Sequence, residues 1–175
     1  GRNPLLSAIC GGKDKDMLNL VIGGKEYTLE YSFAAAEHKE TVQKMFNIVS
    51  GAYFVNRMGT ENMATASINA TSDMVADIPN IVRTAFYSGL LENHGVDEAE
   101  AYKLQKQYMK ENKFSYKKLF DDIKKCMEED GFFDLSGLTE MMQEMNENLK
   151  KNLEAVTKQT KIPQDHKKKQ TSTKK

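Results

Sequence analysis

Histidine and cysteine, the side chains that most often serve as bases, nucleophiles or metal ligands near neutral pH, are few in this sequence. His38, His94 and His166 are far apart, and none lies one helical turn from another good metal ligand. Cys10 and Cys126 are too few for a disulfide scaffold or a zinc module, which need more cysteines at closer spacing. The sequence therefore predicts no metal site, and the two cysteines are most simply explained by a reducing compartment.

The remaining candidates for chemistry each have a structural explanation. We expect His38, beside two glutamates, on the solvated face of a helix, and Cys126 as filler at the edge of an apolar stripe. The acidic pairs at 121–122 and 128–130 lack the spacing of a calcium loop. Gly24-Lys25 lacks the upstream glycine of a phosphate-binding loop. The sequence thus predicts a protein that is not an enzyme, with no catalytic residue and no cofactor.

The balanced charge of 25 basic and 25 acidic residues conceals a gradient along the chain. Residues 126–149 hold seven acids and no Lys or Arg, whereas residues 150–175 hold nine lysines and two acids. We expect a disordered, Lys-rich tail over 161–175. Such a tail can bind nucleic acid through its phosphates, but it has no arginine and no aromatic residue for base recognition, so a solubilising end is the favoured interpretation. No apolar run approaches the ~18 residues of a membrane span, so no membrane partner is expected.

The N-terminal region predicts a β-hairpin. Residues 1–16 read as a leader or an added extension, with Met17 as the expected natural start. Beyond it, alternating apolar residues on both sides of Gly23-Gly24 fit two strands joined by a two-residue turn. This register pairs Leu18 with Leu29, and it also pairs Leu20 with Tyr27 and Ile22 with Lys25. A lone hairpin is marginal in water, so it must pack on the helices that follow.

The rest of residues 17–160 predicts one helical domain. Ser32 is expected to cap a helix that runs to Ser50-Gly51, and residues 56–72 are expected to form a loop or a short mobile helix. Pro79 fits the first turn of the next helix. The buried face of that helix is expected to comprise Ile78, Ile81, Val82, Ala85, Phe86 and Leu90.

Two capped helices and a methionine-rich helix follow. Asp97 and Ser115 are expected to cap the first two, and Gly131 is expected to end the second. The last helix carries a heptad-like stripe from Leu138 to Val156. The predicted fold class is therefore mainly α with an N-terminal β-hairpin, a small α+β domain, followed by the disordered basic tail.

Three of the ten methionines lie within five residues on this last helix. Flexible, polarizable side chains suit a surface that must accept varied partners, although an ordinary core or dimer seam would use the same pattern. The candidate partner-binding residues are Phe132, Phe133, Leu138, Met141, Met142, Met145 and Leu149.

Three segments resemble the tail assembly chaperones of tailed phages and prophages of Gram-positive bacteria. They are residues 18–33 (LNLVIGGKEYTLEYSF), 76–92 (ADIPNIVRTAFYSGLLE) and 114–142 (FSYKKLFDDIKKCMEEDGFFDLSGLTEMM). The resemblance covers most of residues 17–150. It rests on the general residue pattern and on the order of the predicted helices and strands, without a catalytic signature.

The resemblance implies a non-enzymatic role in the host bacterial cytoplasm during virion morphogenesis. Members of that family bind the long helical tape measure protein while tail tube subunits assemble, and they are absent from the mature virion. The expected partners are thus the tape measure protein and the tail tube protein. The candidate surface residues themselves leave open self-association with a second copy of this chain as the alternative to binding a client. The alternatives are a phage accessory protein that binds nucleic acid through its basic tail, and a structural component of the tail.

Overall fold

The computed structural model describes residues 17–160. The predicted leader 1–16 and the predicted tail 161–175 lie outside the described residues. Over the described part the chain is mostly helical, with a two-stranded antiparallel sheet at its N-terminal end. The predicted α+β fold class is confirmed.

The hairpin consists of β1 (Leu18–Ile22) and β2 (Lys25–Leu29), in the register that the alternating pattern predicts. Gly23 and Gly24 form the turn with φ values of 56° and 78°. Positive φ at both central residues is the requirement of a type I′ turn, and glycine meets it without steric cost. The side chains of Leu20, Ile22 and Leu29 are buried.

The next segment contains two helices where the sequence predicts one. The first is α1 (Phe33–Glu37) and the second is α2 (Lys39–Val49). His38 separates them in an extended conformation, and its side chain accepts a hydrogen bond from the Thr41 N–H. The expectation of His38 on a solvated helix face is therefore wrong, because the imidazole is half-buried as the N-cap of α2.

A short helix, α3 (Ala52–Val55), leads to the longest element, α4 (Met63–Leu90). The sequence predicts a loop or a short mobile helix over 56–72. Residues 56–62 do lie outside the helices, but residues 63–72 are the first turns of a long helix, so the predicted helix start near Pro79 is wrong. α4 begins after Asn62, whose side chain accepts from the Thr65 N–H, and Pro79 lies well inside the helix. There its ring removes one backbone hydrogen bond.

The reason for this early start is tertiary. Ala66 and Ala70, which look featureless in the sequence, are buried in the folded chain. The Arg57 guanidinium also donates to Asp73 from Nε at 3.0 Å and from Nη2 at 2.8 Å, which fastens the segment before α4 to its third turn. The apolar face predicted for the second half of α4, from Ile78 to Leu90, is buried as expected.

The second half of the chain follows its local signals closely. Asp97 caps α5 (Glu98–Asn112), and Ser115 caps α6 (Tyr116–Asp130). Gly131 ends α6 with φ 76°, as predicted. A one-turn helix that the sequence did not indicate, α7 (Phe132–Leu135), precedes α8 (Leu138–Gln159).

The core of the domain surrounds α4, which contacts the hairpin, α2, α3, α5 and α6. Tyr31 and Phe132 meet edge to face in this core, with their ring centroids 6.4 Å apart. The largest fully buried side chains include Tyr31, Phe86, Phe132, Leu90, Leu119, Ile123 and Met127.

The chain divides into two compact units, the first ending at Thr139 and the second beginning at Glu140. The sequence predicts a single domain over 17–160. The first unit holds the hairpin and α1–α7, and the described part of the second unit is the remainder of α8 with Thr160.

Candidate functional site

The Cys126 side chain is part of the hydrophobic core. Its residue is 3% exposed, and its Sγ lies 3.5 Å from Oδ2 of Asp130. Burial raises the pKa of Cys126 to about 12, and the Asp130 charge adds to this effect. Because the thiolate is the nucleophilic form, burial disfavours nucleophilic attack by this thiol at neutral pH.

A polar cleft of about 200 Å³ lies against α2, α4 and α5. Its lining comprises His38, Glu40, Asn80, Arg83, Thr84, Tyr87 and Glu98. The His38 ring is engaged as the α2 cap and meets the Tyr87 ring edge-on at 5.7 Å. The Arg83 guanidinium lies 4.0 Å from the centre of the Tyr102 ring. The imidazole thus caps α2, and the guanidinium stacks on the Tyr102 ring.

Among residues 17–160, no group of three or more His, Cys, Asp or Glu side chains is arranged to hold a metal ion. Over the same residues, none of the helices combines the length and the apolar character needed to cross a bilayer.

The predicted partner-binding residues do not share one environment. Phe132 is fully buried and Leu138 is 5% exposed, so both belong to the core of the first unit and are unavailable as surface. Phe133 is half-buried against that core, with its ring 5.4 Å from the Phe132 ring. The sequence suggests an exposed apolar cluster at these three positions because it does not indicate α7. That helix carries the two phenylalanines and places Phe132 in the core.

The other four predicted residues lie on α8 in the second unit. Met141, Met145 and Leu149 are 51%, 37% and 57% exposed, and Met142 is half-buried. Leu153 and Val156, which continue the same stripe, are 67% and 59% exposed. Residues at spacings of three and four project from one side of a helix. We call this surface the α8 apolar face; it comprises Met141, Met142, Met145, Leu149, Leu153 and Val156.

Beyond its first turns, α8 is exposed around its whole circumference. From Gln143 to Thr160 every residue is exposed. A helix of this length gains little stability from its backbone alone and usually depends on packing of its apolar side. α8 therefore offers apolar surface that a partner helix can cover.

The charges of α8 divide by position along the helix. The first half carries Glu140, Glu144 and Glu147, and the second half carries Lys150, Lys151 and Lys158 with Glu154. Acids near the helix N-terminus and lysines near the C-terminus suit the helix dipole. The same order makes one half of the helix electrostatically complementary to the other.

A second group of exposed apolar side chains lies in the first unit, in and around the segment 56–72, for which the sequence predicts a loop or a short mobile helix. Val55 ends α3 and Met58 follows it, and Met63, Ile68 and Val75 lie on the first half of α4, each more than half exposed. Alternating small polar residues hide this group in the sequence, since they give no clear period.

The comparisons with known proteins add no relative. The chain matches no protein-family model, no curated protein and no solved structure. The fold and the α8 apolar face thus define the class structurally, as a small helical protein with a β-hairpin and an exposed amphipathic helix.

Proposed function

We propose that this protein is a non-enzymatic phage tail assembly chaperone that binds the tape measure protein through the α8 apolar face. The observation that carries the proposal is that five of the six side chains of this face are 37–67% exposed on one side of a single helix. The resemblance of residues 18–33, 76–92 and 114–142 to that family supplies the class of client.

The chemistry of the surface fits such a client. A tape measure protein is a very long helix with apolar stripes, and such stripes aggregate when they are left uncovered. An amphipathic helix can cover a stripe by packing its own apolar side along it. Methionines at Met141, Met142 and Met145 adapt to clients whose stripe varies along its length, because the unbranched thioether chain has many low-energy shapes.

The same role places the protein in the host cytoplasm during assembly, outside the finished virion, with the tail tube protein as a second partner. These statements follow from the resemblance. Their support from the chain itself is that exposed apolar surface is a feature of proteins that bind other proteins.

Co-expression with the tape measure protein tests the proposal. The variant Met145→Glu/Leu149→Glu places two charges on the α8 apolar face. The matched control Gln143→Glu/Lys158→Gln makes the net charge of the same helix more negative by the same amount, at positions on the side opposite that face. We expect the wild type and the control to keep the client soluble and to co-purify with it, and the apolar-face variant to lose both effects. Circular dichroism establishes that all three are equally helical.

Three results would count against the proposal. Equal client solubility with the wild type, the apolar-face variant and no partner at all would remove its central claim. Recovery of the protein from purified virions would favour a structural tail component. Salt-sensitive DNA binding that is lost on deleting residues 161–175 would favour the nucleic-acid alternative.

A further inference from the structure

We propose that the polar cleft against α2, α4 and α5 binds a small zwitterion, a molecule of amino-acid size that carries both a carboxylate and an ammonium group. The proposal goes beyond the chaperone role and does not depend on it. The cleft belongs to the first unit and shares no residue with the α8 apolar face.

One side of α4 forms the floor of the cleft. Four of its lining residues, from Asn80 to Tyr87, lie at positions i, i+3, i+4 and i+7, so they project from the same side of the helix. Glu40 in the first turn of α2 and Glu98 at the start of α5 stand around this floor. Three helices thus hold the polar groups in fixed relative positions, as a binding site requires.

The neutral polar groups of this floor have no partners in the described part of the chain. Thr84 is only 8% exposed, yet its hydroxyl makes no hydrogen bond within residues 17–160, although buried hydroxyls are normally paired. Over the same residues, the Asn80 amide and the half-buried Tyr87 hydroxyl also have no hydrogen-bond partner. A polar ligand in the cleft gains these hydrogen bonds without breaking one inside the protein.

Arg83 supplies a cation that is held in place and still able to bind. Its Cζ lies 4.0 Å from the centre of the Tyr102 ring. Stacking occupies the flat face of the guanidinium and leaves the N–H groups at its edge for a carboxylate, which they can bind in pairs. Among the described residues, Arg83 forms no ion pair.

The acidic side chains supply the opposite charge. Glu40 pairs with Lys44 at 3.8 Å, whereas Glu98 makes no ion pair within residues 17–160. Arg83 and Glu98 therefore line one cleft without pairing with each other. A zwitterion meets both charges at once, while a simple anion would leave Glu98 unmatched and a simple cation would leave Arg83 unmatched.

The size of the cleft limits the ligand. Its volume is about 200 Å³, below the ~300–1,000 Å³ of sites for drug-sized molecules. The rings of His38 and Tyr87, which meet edge to face at 5.7 Å, form a less polar wall against which a short side chain can lie. Charge, hydrogen bonding and size together point to a free amino acid as the class of ligand.

Calorimetric titration of the full chain with each of the standard L-amino acids tests the proposal. Acetate and methylammonium, which carry one charge each, serve as matched ligands. We expect at least one amino acid to bind, and neither single-charge ligand to bind at the same concentrations. The absence of binding by every amino acid would overturn the proposal. Acetate that binds as tightly as the best amino acid would overturn it too, because the ammonium end would then contribute nothing.

Charge-removing variants locate the binding in this cleft. Arg83→Gln and Glu98→Gln should each lower the affinity about tenfold or more, since each removes a charge-assisted contact. Lys110→Gln and Glu100→Gln remove the same charges from α5 outside the cleft and should bind as the wild type does. Unchanged affinity in both cleft variants would overturn the site.

Thr84→Val separates binding from folding. Valine has nearly the same shape, and the hydroxyl that it removes has no partner within the described residues, so urea denaturation should show no loss of stability. The affinity for the amino acid should fall several-fold. Unchanged affinity would contradict the site. These measurements contain no tape measure protein, so their outcome is separate from that of the co-expression experiment.

Discussion

The backbone N–H of Tyr31 donates a hydrogen bond to the carboxylate of Asp130 at 2.8 Å. This bond joins the residue that leaves the hairpin to the last residue of α6. The Tyr31 hydroxyl donates in turn to the Ala85 carbonyl of α4 at 3.0 Å. One residue thus fastens the hairpin to the two helices on which it lies.

Two backbone amides on the outer edge of β2 and its extension also find acceptors in the rest of the fold. The Thr28 N–H donates to His94 Nε2 at 2.9 Å, and the Glu30 N–H donates to the Gly89 carbonyl at 2.9 Å. An exposed strand edge is a template for unwanted pairing. These bonds explain how a two-stranded sheet, marginal by itself, is held in the fold.

Gly89→Ala should be the most damaging small substitution in this region. A Cβ at Gly89 would lie 2.7 Å from Cζ and 2.8 Å from the hydroxyl oxygen of Tyr31, whose ring is fully buried and has no room to move. Overpacking of this kind costs about 1–3 kcal/mol or more of unfolding free energy. Urea denaturation measures it.

Gly95→Ala is the matched control, because nothing lies within 4 Å of the added Cβ and the backbone there needs no glycine. We expect a change within about 0.5 kcal/mol. Equal stability of the two variants would show that Tyr31 is not closely packed on α4.

Asp130→Ala should destabilise the fold by about 1–3 kcal/mol, because it leaves the partly buried Tyr31 N–H without its acceptor. Asp130→Asn retains a carbonyl oxygen at the same place, so this variant should lose less unfolding free energy than Asp130→Ala. Thermal denaturation of both variants at one pH distinguishes them. An equal loss would assign the effect to the charge of Asp130 instead of to the acceptor.

Stability should fall at alkaline pH. Burial raises the pKa of Tyr31 well above its ordinary value of 10.0, and burial raises that of Cys126 from 9.0 to about 12. The folded chain therefore keeps protons that the unfolded chain releases above pH ~9 for the thiol and ~10 for the phenol. Stability from these groups is complete below those values and is lost as pH rises through the folded-state pKa.

Each group contributes a slope of up to about 1.4 kcal/mol per pH unit in the range where only the unfolded chain is ionised. Urea denaturation between pH 8 and pH 11 measures the slope. Tyr31→Phe should reduce it, and Tyr116→Phe, at a half-buried phenol outside this core position, provides the comparison. An unchanged slope in Tyr31→Phe would contradict the assignment.

Gln105→Met should stabilise the protein. Gln105 is fully buried, and among the described residues its Oε1 has no hydrogen-bond partner. Methionine has nearly the same shape and leaves no amide to desolvate, so we expect a gain of about 1–2 kcal/mol. The exposed Gln107→Met should change stability by less than about 0.5 kcal/mol. A loss in Gln105→Met would mean that the amide has a partner in solution, such as a bound water.

Arg57→Ala should loosen the first turns of α4. The guanidinium connects Asp73 and Glu61, and its loss removes the cross-connection between the segment before α4 and the helix itself. We expect faster amide hydrogen exchange from Met63 to about Asp73 and unchanged exchange in the second half of α4. Uniform acceleration along the whole helix would indicate global destabilisation instead.

The sequence by itself determined the features that depend on neighbours along the chain. Gly23-Gly24 and the alternation around it set the hairpin register, because a side-chain period of two allows only one pairing that buries the apolar set. Asp97, Ser115 and Gly131 marked helix ends by capping chemistry that acts within four residues.

Only the tertiary structure decided the features that depend on distant residues. α4 begins at Met63 because Ala66 and Ala70 are buried and Arg57 binds Asp73, although the local sequence is a weak helix former. Phe132 and Met145 look equally apolar in the sequence, yet one is fully buried and the other is 37% exposed. Burial is set by what surrounds a side chain after folding, so apolar character alone did not separate the core from the surface that remains for a partner.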